Sequence, residues 1–369
     1  MSSLSAKPAA GPAPVQKYTA IWQSPTPKVR EWICEIMGDY IGEHVTDGKH
    51  QLVLDNAILI DAFIYCFDPA YYARFRGKNV FLVAFLDENF EGGYDVYQNF
   101  RGVFRCFWSD VFNHPPMMRM PLGYCNDTKP AIQEVRRATE RTYVWSFMGA
   151  ADKSTRPDVV RELGSIEPHF MFSTEHVPGI TTLNRVDGVR RQFSPAEFSR
   201  VLLDSIFSPC PMGNVNIECY RVYESLECGA IPIVEKRLTL DYYRKLLGDH
   251  PMPTVRSWSE ARRMIWKMLR NPGDVDCLQK QCVTWWAQYK IDFSARVGEF
   301  LAERAIAPRL ETERVVSPIQ SLPGWRVAEL LRHHDTRAVL RRISRQAGRL
   351  VKEGKLRVAH RPGINLDQQ

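Results

Sequence analysis

The feature that most constrains this chain is an alternation, from Tyr143 onward, of short apolar runs with amphipathic segments of ten or more residues. Strands that alternate with helices indicate βα units on a parallel sheet. The second half is therefore predicted to be doubly wound. The runs expected to form its strands are 143–148, 169–172, 205–208 and 230–234.

Capping residues mark the helices of this half. Ser194 and Glu197 have the spacing of a capping box, so we predict that a helix begins there. A second helix is predicted over 219–228, because Gly229 is a good residue for a helix end. A third runs from residue 274 towards 305, and the aromatic face it carries is interpreted as core or domain interface rather than as a stacking platform.

The first half is less regular. Strand-like runs lie at 19–22 and 79–86, and helix-like segments at 29–37 and 96–108. A polar break at 126–130 separates the two patterns, so we place a domain boundary near residues 130–142. With 369 residues the chain exceeds the usual size of one hydrophobic core, which also favours two domains. The predicted division is a disordered lead-in at 1–17, domains at 18–135 and 140–306, and a basic, partly helical tail at 307–369.

Composition excludes several classes of protein. The apolar runs are too short to span a membrane, and residues 1–18 have the character of neither a signal peptide nor an anchor. Nine scattered cysteines with no CxxC pair fit reduced thiols, so we expect a cytoplasmic location. The net charge of +7 would attract an anionic ligand or surface.

One segment has the residues expected of a phosphate site. A loop containing Gly213 leads from the strand that ends at Ser208 into the next helix, and backbone N–H groups at such a turn bind anions. Arg221 and Glu224 share one face of that helix. Arginine can fork onto phosphate oxygens, and glutamate can accept hydrogen bonds from ribose hydroxyls. The alternative is a surface ion pair beside an ordinary turn.

The stretch from Ser208 to Val234 resembles the signature of exostosin-type glycosyltransferases. In that family a glycine loop precedes an Arg-x-Tyr/Phe-Glu-Ala/Ser helix and a Gly-x-Ile-Pro-Val strand. The likeness continues upstream at 145–156 and, in the first half, at 85–88, 97–105 and 119–124.

The resemblance implies a GT-B fold, in which two Rossmann-like domains face a central cleft and the C-terminal one holds a nucleotide sugar. The implied reaction moves a sugar from a UDP-linked donor to a hydroxyl of a glycan or polyol acceptor, with inversion and with neither metal nor cofactor. The residues expected to bind the donor are Gly149, Lys153, Arg156, Ser208, Gly213, Asn214, Asn216, Arg221 and Glu224.

Sugar transfer also needs a base for the acceptor hydroxyl. Asp87 and Glu88 are the candidates, because they follow the strand at 79–86 and adjacent carboxylates can raise one pKa. The alternative role for this pair is solvation of a strand end, and His114 is a weaker candidate base.

Two other patterns are interpreted as structural. Asp274 and Asp276 spell the DxD metal motif, but they follow a turn and precede a helix, so helix capping is preferred. His333 and His334 are expected at the surface.

The basic tail at 337–357 has one apolar helical face. It would either lie on an anionic membrane that carries a lipid-linked acceptor or dock on the protein itself. No nucleic-acid motif accompanies its charge.

Two rival functions stay open at this point. One is a fucosyltransferase that uses GDP-fucose, although the Phe-Glu-Asn-Ser run of that family is absent. The other is a non-catalytic protein that binds a glycan or nucleotide on the same fold.

Overall fold

The computed structural model shows an α/β protein in which parallel strands alternate with helices. It describes residues 16–24, 27–61, 68–85, 87–88, 90, 94–112, 117–129, 135–174, 193–213, 215–307 and 325–333. Within these ranges the strands form two sheets, one from each half of the chain, and all the paired strands are parallel. The predicted α/β class is confirmed.

The first sheet is built from residues 18–119. Its strands are β1 (Tyr18–Trp22), β2 (Ile41–Thr46), β3 (Ala57–Asp61), β4 (Val80–Ala84), β5 (Gly102–Arg105) and β6 (Met117–Arg119), in the order β2-β1-β3-β4-β5-β6. Helices α1 (Arg30–Met37) and α2 (Pro69–Ala73) lie between strands. Strands β3 and β4 are buried along their whole length and are apolar except for Asp61, as expected for a parallel sheet covered on both faces.

The second sheet and its helices follow. The strands are β7 (Tyr143–Ala150), β8 (His169–Thr174), β9 (Ser205–Cys210), β10 (Ile231–Glu235) and β11 (Thr254–Val255), in the order β11-β10-β9-β7-β8. The remaining helices are α3 (Arg156–Leu163), α4 (Pro195–Leu203), α5 (Tyr220–Glu227), α6 (Tyr242–Leu247), α7 (Trp258–Leu269), α8 (Pro272–Ile306) and α9 (Trp325–His333).

The elements predicted in the second half are confirmed. The four expected apolar runs form β7 to β10, and the expected helices form α4, α5 and α8. Ser194 and Glu197 make the reciprocal hydrogen bonds of a capping box at the start of α4. Gly229 has φ +64 just after α5, a left-handed conformation that glycine adopts without strain.

The prediction of one helix in the first half is wrong. Residues 96–108 were expected to be helical, but Tyr94–Asn99 forms a 3-10 turn and Gly102–Arg105 is strand β5. Tertiary packing overrides the local pattern here. A Cβ on Gly102 would lie 2.7 Å from the ring of Phe300, so this strand fits directly beneath helix α8.

Helix α8 connects the two halves. It has 35 residues, which corresponds to roughly 50 Å of helix. The Trp286 ring stacks on Trp32 of α1 with centroids 5.6 Å apart, and it also lies 5.7 Å from Tyr223 of α5. Further along the helix, Phe300 packs 5.0 Å from Phe104 of β5. The aromatic face of this helix is therefore core and interface, as predicted.

A buried glutamate joins the halves beneath the candidate site. Glu218 is 1% exposed, and its carboxylate accepts hydrogen bonds from the Leu122 N–H at 2.8 Å, the Tyr223 hydroxyl at 2.6 Å and the Tyr242 hydroxyl at 2.5 Å. Burial raises the pKa of Glu218, and these donors oppose that rise. Because Leu122 belongs to the first half, this contact holds the segment after β6 against α5 and α6.

Some predictions fall on other parts of the chain. Residues 1–15, His114, His334 and the basic stretch 337–357 lie outside the described residues. The domain boundary near 130–142 stays a prediction; the first sheet ends at Arg119 and the second begins at Tyr143. Among the described helices, none combines the length and the apolar character needed to cross a membrane.

The prediction for His333 is wrong. Its side chain is 0% exposed and lies between the rings of Phe90 and Tyr242, with centroids 5.9 and 5.4 Å away. The sequence placed this histidine at the surface because the adjacent His333 and His334 cannot both face one metal ion, whereas the fold packs α9 against both halves.

Candidate functional site

The candidate donor-binding residues meet at the carboxyl edge of the second sheet. Strand β7 ends at Ala150 and its neighbour β9 ends at Cys210, while helices α3 and α5 begin beside them. Ligands of open parallel sheets bind at this edge, because strand ends and helix N-termini converge there. The fold therefore gathers residues 148–156, 208–213 and 215–224 at one place.

Two arginines lie side by side at this edge. Arg221 Nη2 donates a hydrogen bond to the carbonyl oxygen of Met148 at 2.5 Å, and Arg156 Nη1 donates to that of Ala150 at 3.0 Å. Gly149 lies between these carbonyls with φ +144. A Cβ at Gly149 would lie 3.0 Å from Arg221 Nη2 and 3.9 Å from Arg156 Nη1, so glycine leaves room for both guanidinium groups.

The electrostatics of this pair favour an anion. Within the part of the chain that the structure describes, neither guanidinium forms an ion pair, and the Nε atoms of Arg156 and Arg221 are buried without a hydrogen-bond partner. Burial, together with the charge of Arg221, lowers the pKa of Arg156 to about 10. Buried donors normally find partners. A ligand with several acceptor oxygens would satisfy these.

Lys153 adds a third cation. It is half-buried before α3, and burial followed by the charge of Arg156 lowers its pKa. The charges of Asp152 and Glu88 oppose that shift. Lys153 therefore belongs to the same charged cluster, and its contact with a donor stays a prediction.

The backbone N–H groups of the Gly213 turn have other partners than the sequence predicted. Its backbone N–H groups were expected to face a diphosphate, but those of Val215 and Asn216 donate to Oε1 of Glu88 at 2.8 and 3.1 Å. The Gly213 N–H donates to the carbonyl oxygen of Asn216 at 2.8 Å. The amides of Val215 and Asn216 are thus occupied by a carboxylate from the first half and that of Gly213 by the turn itself, whereas the arginines without ion pairs among the described residues lie at Gly149. Asn214 lies outside the described residues.

Two other predicted residues lie beneath the turn. Asn216 and Ser208 are both 0% exposed. The Asn216 side-chain oxygen accepts from the Glu218 N–H at 3.0 Å, and its Nδ2 is buried without a partner. The Ser208 hydroxyl lies 3.9 Å from the sulfur of Cys210. Both side chains face inward in this structure, where they shape the turn and the end of β9.

Glu224 is buried rather than open. Its side chain is 9% exposed, and the thiol and backbone N–H of Cys125 donate hydrogen bonds to its carboxylate. Burial raises its pKa, while the charge of Arg221 and these hydrogen bonds act in the opposite direction. The alternative of a surface ion pair does not describe Arg221 and Glu224, because Glu224 is buried against the segment that carries Cys125.

The adjacent carboxylates of Asp87 and Glu88 lie in different environments. Asp87 is 1% exposed; its Oδ2 lies 2.8 Å from Arg105 Nη2 and accepts from the Tyr94 hydroxyl at 2.9 Å. Glu88 is only half-buried and reaches the second half of the chain. The structure therefore brings Glu88 to the candidate site and keeps Asp87 within the first half.

The DxD pattern also has a structural explanation. Asp276 accepts hydrogen bonds from the N–H and the hydroxyl of Thr139, each at 2.9 Å. Asp274 lies in the first turn of α8, whose N-cap residue is Asn271, so neither aspartate caps the helix as predicted. Among the described residues, no group of three or more His, Cys, Asp or Glu side chains is arranged to hold a metal ion.

The sequence analysis did not single out three residues that the structure places in or near the site. Glu218, Cys125 and Arg105 each engage a carboxylate or serve as one; Glu218 and Arg105 lie within the family-like stretches, but the sequence assigned none of the three a role. Their partners are distant along the chain, and only the fold brings them together. The available signal was the charged residue Glu218 directly between the apolar residues Ile217 and Cys219.

We expect Gly213→Ala to misplace Glu88. The added Cβ would lie 2.8 Å from Glu88 Oε1 and 3.2 Å from the carbonyl oxygen of Glu218, so the carboxylate must move. Glu88 is one of the two bases that the sequence predicts, and a shift of about 1 Å at a reacting group can lower a rate about 100-fold. Steady-state kinetics should show a lower kcat with little change in donor affinity. Gly273→Ala is the control, because nothing lies within 4 Å of its Cβ position; equal effects of the two variants would contradict the prediction.

The similarity to known proteins covers the part of the chain that carries these cations. Residues 124–306 match the family model described as the RXYLT1 C-terminal domain. The chain is 28% identical over 188 residues to ribitol-5-phosphate xylosyltransferase 1 of Mus musculus, an alignment covering 48% of this chain and 37% of the relative. It is 22% identical over 222 residues to the Homo sapiens protein of the same name, covering 54% of this chain and 47% of the relative. The match thus spans less than half the length of each relative.

The RXYLT1-like region includes the whole second sheet, helix α8 and the cations at Gly149. The similarity confirms the resemblance to exostosin-like glycosyltransferases that the sequence indicated. It does not favour the fucosyltransferase alternative. Asp87 and Glu88 lie upstream of residue 124, so the family match does not extend to the candidate base.

Proposed function

We propose that this chain is a glycosyltransferase of GT-B architecture that transfers a pentose from a UDP-linked donor to a hydroxyl of a polyol or glycan. The observation that carries the proposal is the pair of guanidinium groups at Gly149, whose Nε atoms are buried without partners in a region that matches a xylosyltransferase family. The contact between Glu88 and the Gly213 turn supports a cleft between the two halves.

The donor diphosphate would bind at the end of β7. Arg156 and Arg221 would fork onto its oxygens, with Lys153 beside them, and Gly149 would allow close approach of the backbone. These cations would stabilise the charge that develops on the departing UDP. Glu224 stays the predicted partner of the ribose hydroxyls, and it would have to exchange its hydrogen bonds with Cys125 for hydrogen bonds from the sugar.

Glu88 is the proposed base. The acceptor hydroxyl would lose its proton to this carboxylate while its oxygen attacks the anomeric carbon, and the bond from that carbon to the diphosphate oxygen would break. A single displacement of this kind inverts the anomeric centre. The relatives are named as xylosyltransferases acting on ribitol 5-phosphate, so we propose xylose as the sugar and a ribitol phosphate unit as the acceptor.

Replacing either arginine should weaken donor binding. Each charge-assisted hydrogen bond contributes about 1.5–3 kcal/mol, so Arg221→Ala and Arg156→Ala should each raise the Kd for UDP roughly 10- to 100-fold in calorimetric titrations. Arg161→Ala is the matched control, because this exposed arginine on α3 pairs with Asp158 away from the site. Unchanged UDP affinity in both site variants would rule out the proposed donor site.

Turnover decides between the proposed functions. The full chain should form xylosyl product from UDP-xylose and ribitol 5-phosphate. Binding of GDP but not UDP would instead support the fucosyltransferase alternative, and UDP binding without transfer to a broad acceptor panel would support a non-catalytic binding protein. The cytoplasmic location and membrane contact through 337–357 stay predictions, which fractionation of cells and flotation with anionic vesicles would test.

A further inference from the structure

Helix α9 lies across the seam between the two halves of the chain. On the side of the first half, Arg332 Nη2 lies 3.3 Å from Asp110 Oδ2. On the side of the second half, Arg237 Nε donates to the carbonyl oxygen of His333 at 2.9 Å. Glu329 and His333 are 5% and 0% exposed, so this short helix is packed against the protein rather than lying loosely on it.

The end of α9 touches the segments that carry both parts of the Glu88 contact. The His333 ring lies 5.9 Å from that of Phe90, which is two residues after Glu88. Arg237, which holds the last carbonyl of α9, also places Nη2 3.1 Å from the sulfur of Met212, the residue before Gly213. One helix end is therefore linked to the Glu88 segment on one side and to the Gly213 turn on the other.

We propose that His333 and Arg332 are positioning residues that keep the Glu88 carboxylate on the amides of Val215 and Asn216. The inference rests on the proposed function for its catalytic consequence. The two hydrogen bonds to Glu88 join segments 127 and 128 residues apart, so their geometry depends on packing rather than on local chain connectivity. A reacting group is held in productive geometry only when its supporting contacts are themselves ordered.

Amide hydrogen exchange of the full chain measures this directly. His333→Ala removes the ring between Phe90 and Tyr242, and it should speed exchange at the amides of 215 and 216 at least tenfold while exchange within α5 is unchanged. Arg332→Ala, which removes the contacts with Asp110 and Glu329 but leaves the His333 ring in place, should give a smaller increase. Leu331→Ala is the control on the same helix, because this side chain is 46% exposed.

Kinetics separate positioning from a general loss of structure. His333→Ala should lower kcat at least tenfold with an unchanged Kd for UDP, and His333→Phe, which restores a ring, should recover most of the rate. Unchanged exchange at 215 and 216 in both His333→Ala and Arg332→Ala would overturn the proposal. So would equal effects in Leu331→Ala.

Different results would contradict the proposed function and the positioning role of α9. Absence of UDP binding by the wild-type chain would count against the proposed function, while the exchange experiment would still decide whether α9 holds the Glu88 contact. Should His333→Ala not fold, Arg332→Ala against Leu331→Ala gives the same decision.

Discussion

Glu88→Gln should lower kcat for sugar transfer by about 100- to 10,000-fold, the range typical of losing a general base. Glutamine keeps a side-chain oxygen that can accept from the amides of Val215 and Asn216, so the Gly213 turn should stay in place. It cannot take the proton of an acceptor hydroxyl. Donor affinity should therefore change little, and the loss should appear in kcat.

Steady-state kinetics with a calorimetric titration of UDP measure both quantities for Glu88→Gln. Asp95→Asn is the matched control, because Asp95 is an exposed carboxylate of the same half. A rate within threefold of the wild type would exclude Glu88 as the base. A parallel loss of UDP affinity would instead assign Glu88 to shaping the donor site.

Asp87→Ala should destabilise the protein by about 3–5 kcal/mol, the cost typical of removing one partner of a buried ion pair. Asp87 and Arg105 are 1% and 0% exposed, and their charged atoms lie 2.8 Å apart. Without the carboxylate, the Arg105 charge stays in the interior among the rings of Phe112 and Tyr94, 4.0 and 5.3 Å from their centroids. The rings attract a cation but cannot replace a carboxylate.

Chemical denaturation gives the free energy of unfolding for Asp87→Ala and for the exposed control Asp95→Ala. Asp87→Ala should shift the midpoint strongly, while the control should stay within about 0.5 kcal/mol of the wild type. A variant that keeps full stability but loses turnover would contradict a structural role and return Asp87 to the candidate bases. Replacing Glu88 is thus expected to lower turnover, whereas replacing Asp87 is expected to lower the free energy of unfolding.

The adjacent pair shows where sequence reasoning stops. Both carboxylates follow the same strand, so the sequence treats Asp87 and Glu88 alike as candidate bases. Consecutive side chains at a strand end take different directions, and only the packed structure shows which one meets Arg105 and which one crosses to the second half. Burial therefore separates two residues that motif analysis could not.

The sequence by itself determined the βα pattern of the second half, the capping box at Ser194 and the resemblance carried by 208–234, because these depend on neighbours in the chain. It could not determine the strand at 102–105, the burial of His333, or the occupant of the Gly213 amides. Each of those depends on groups more than 100 residues away, such as Phe300 over Gly102 and Glu88 on the turn. Local hydrogen bonding and hydrophobic periodicity depend on residues close together in the sequence. Long-range packing and charge pairing depend on groups that only the tertiary structure brings into contact.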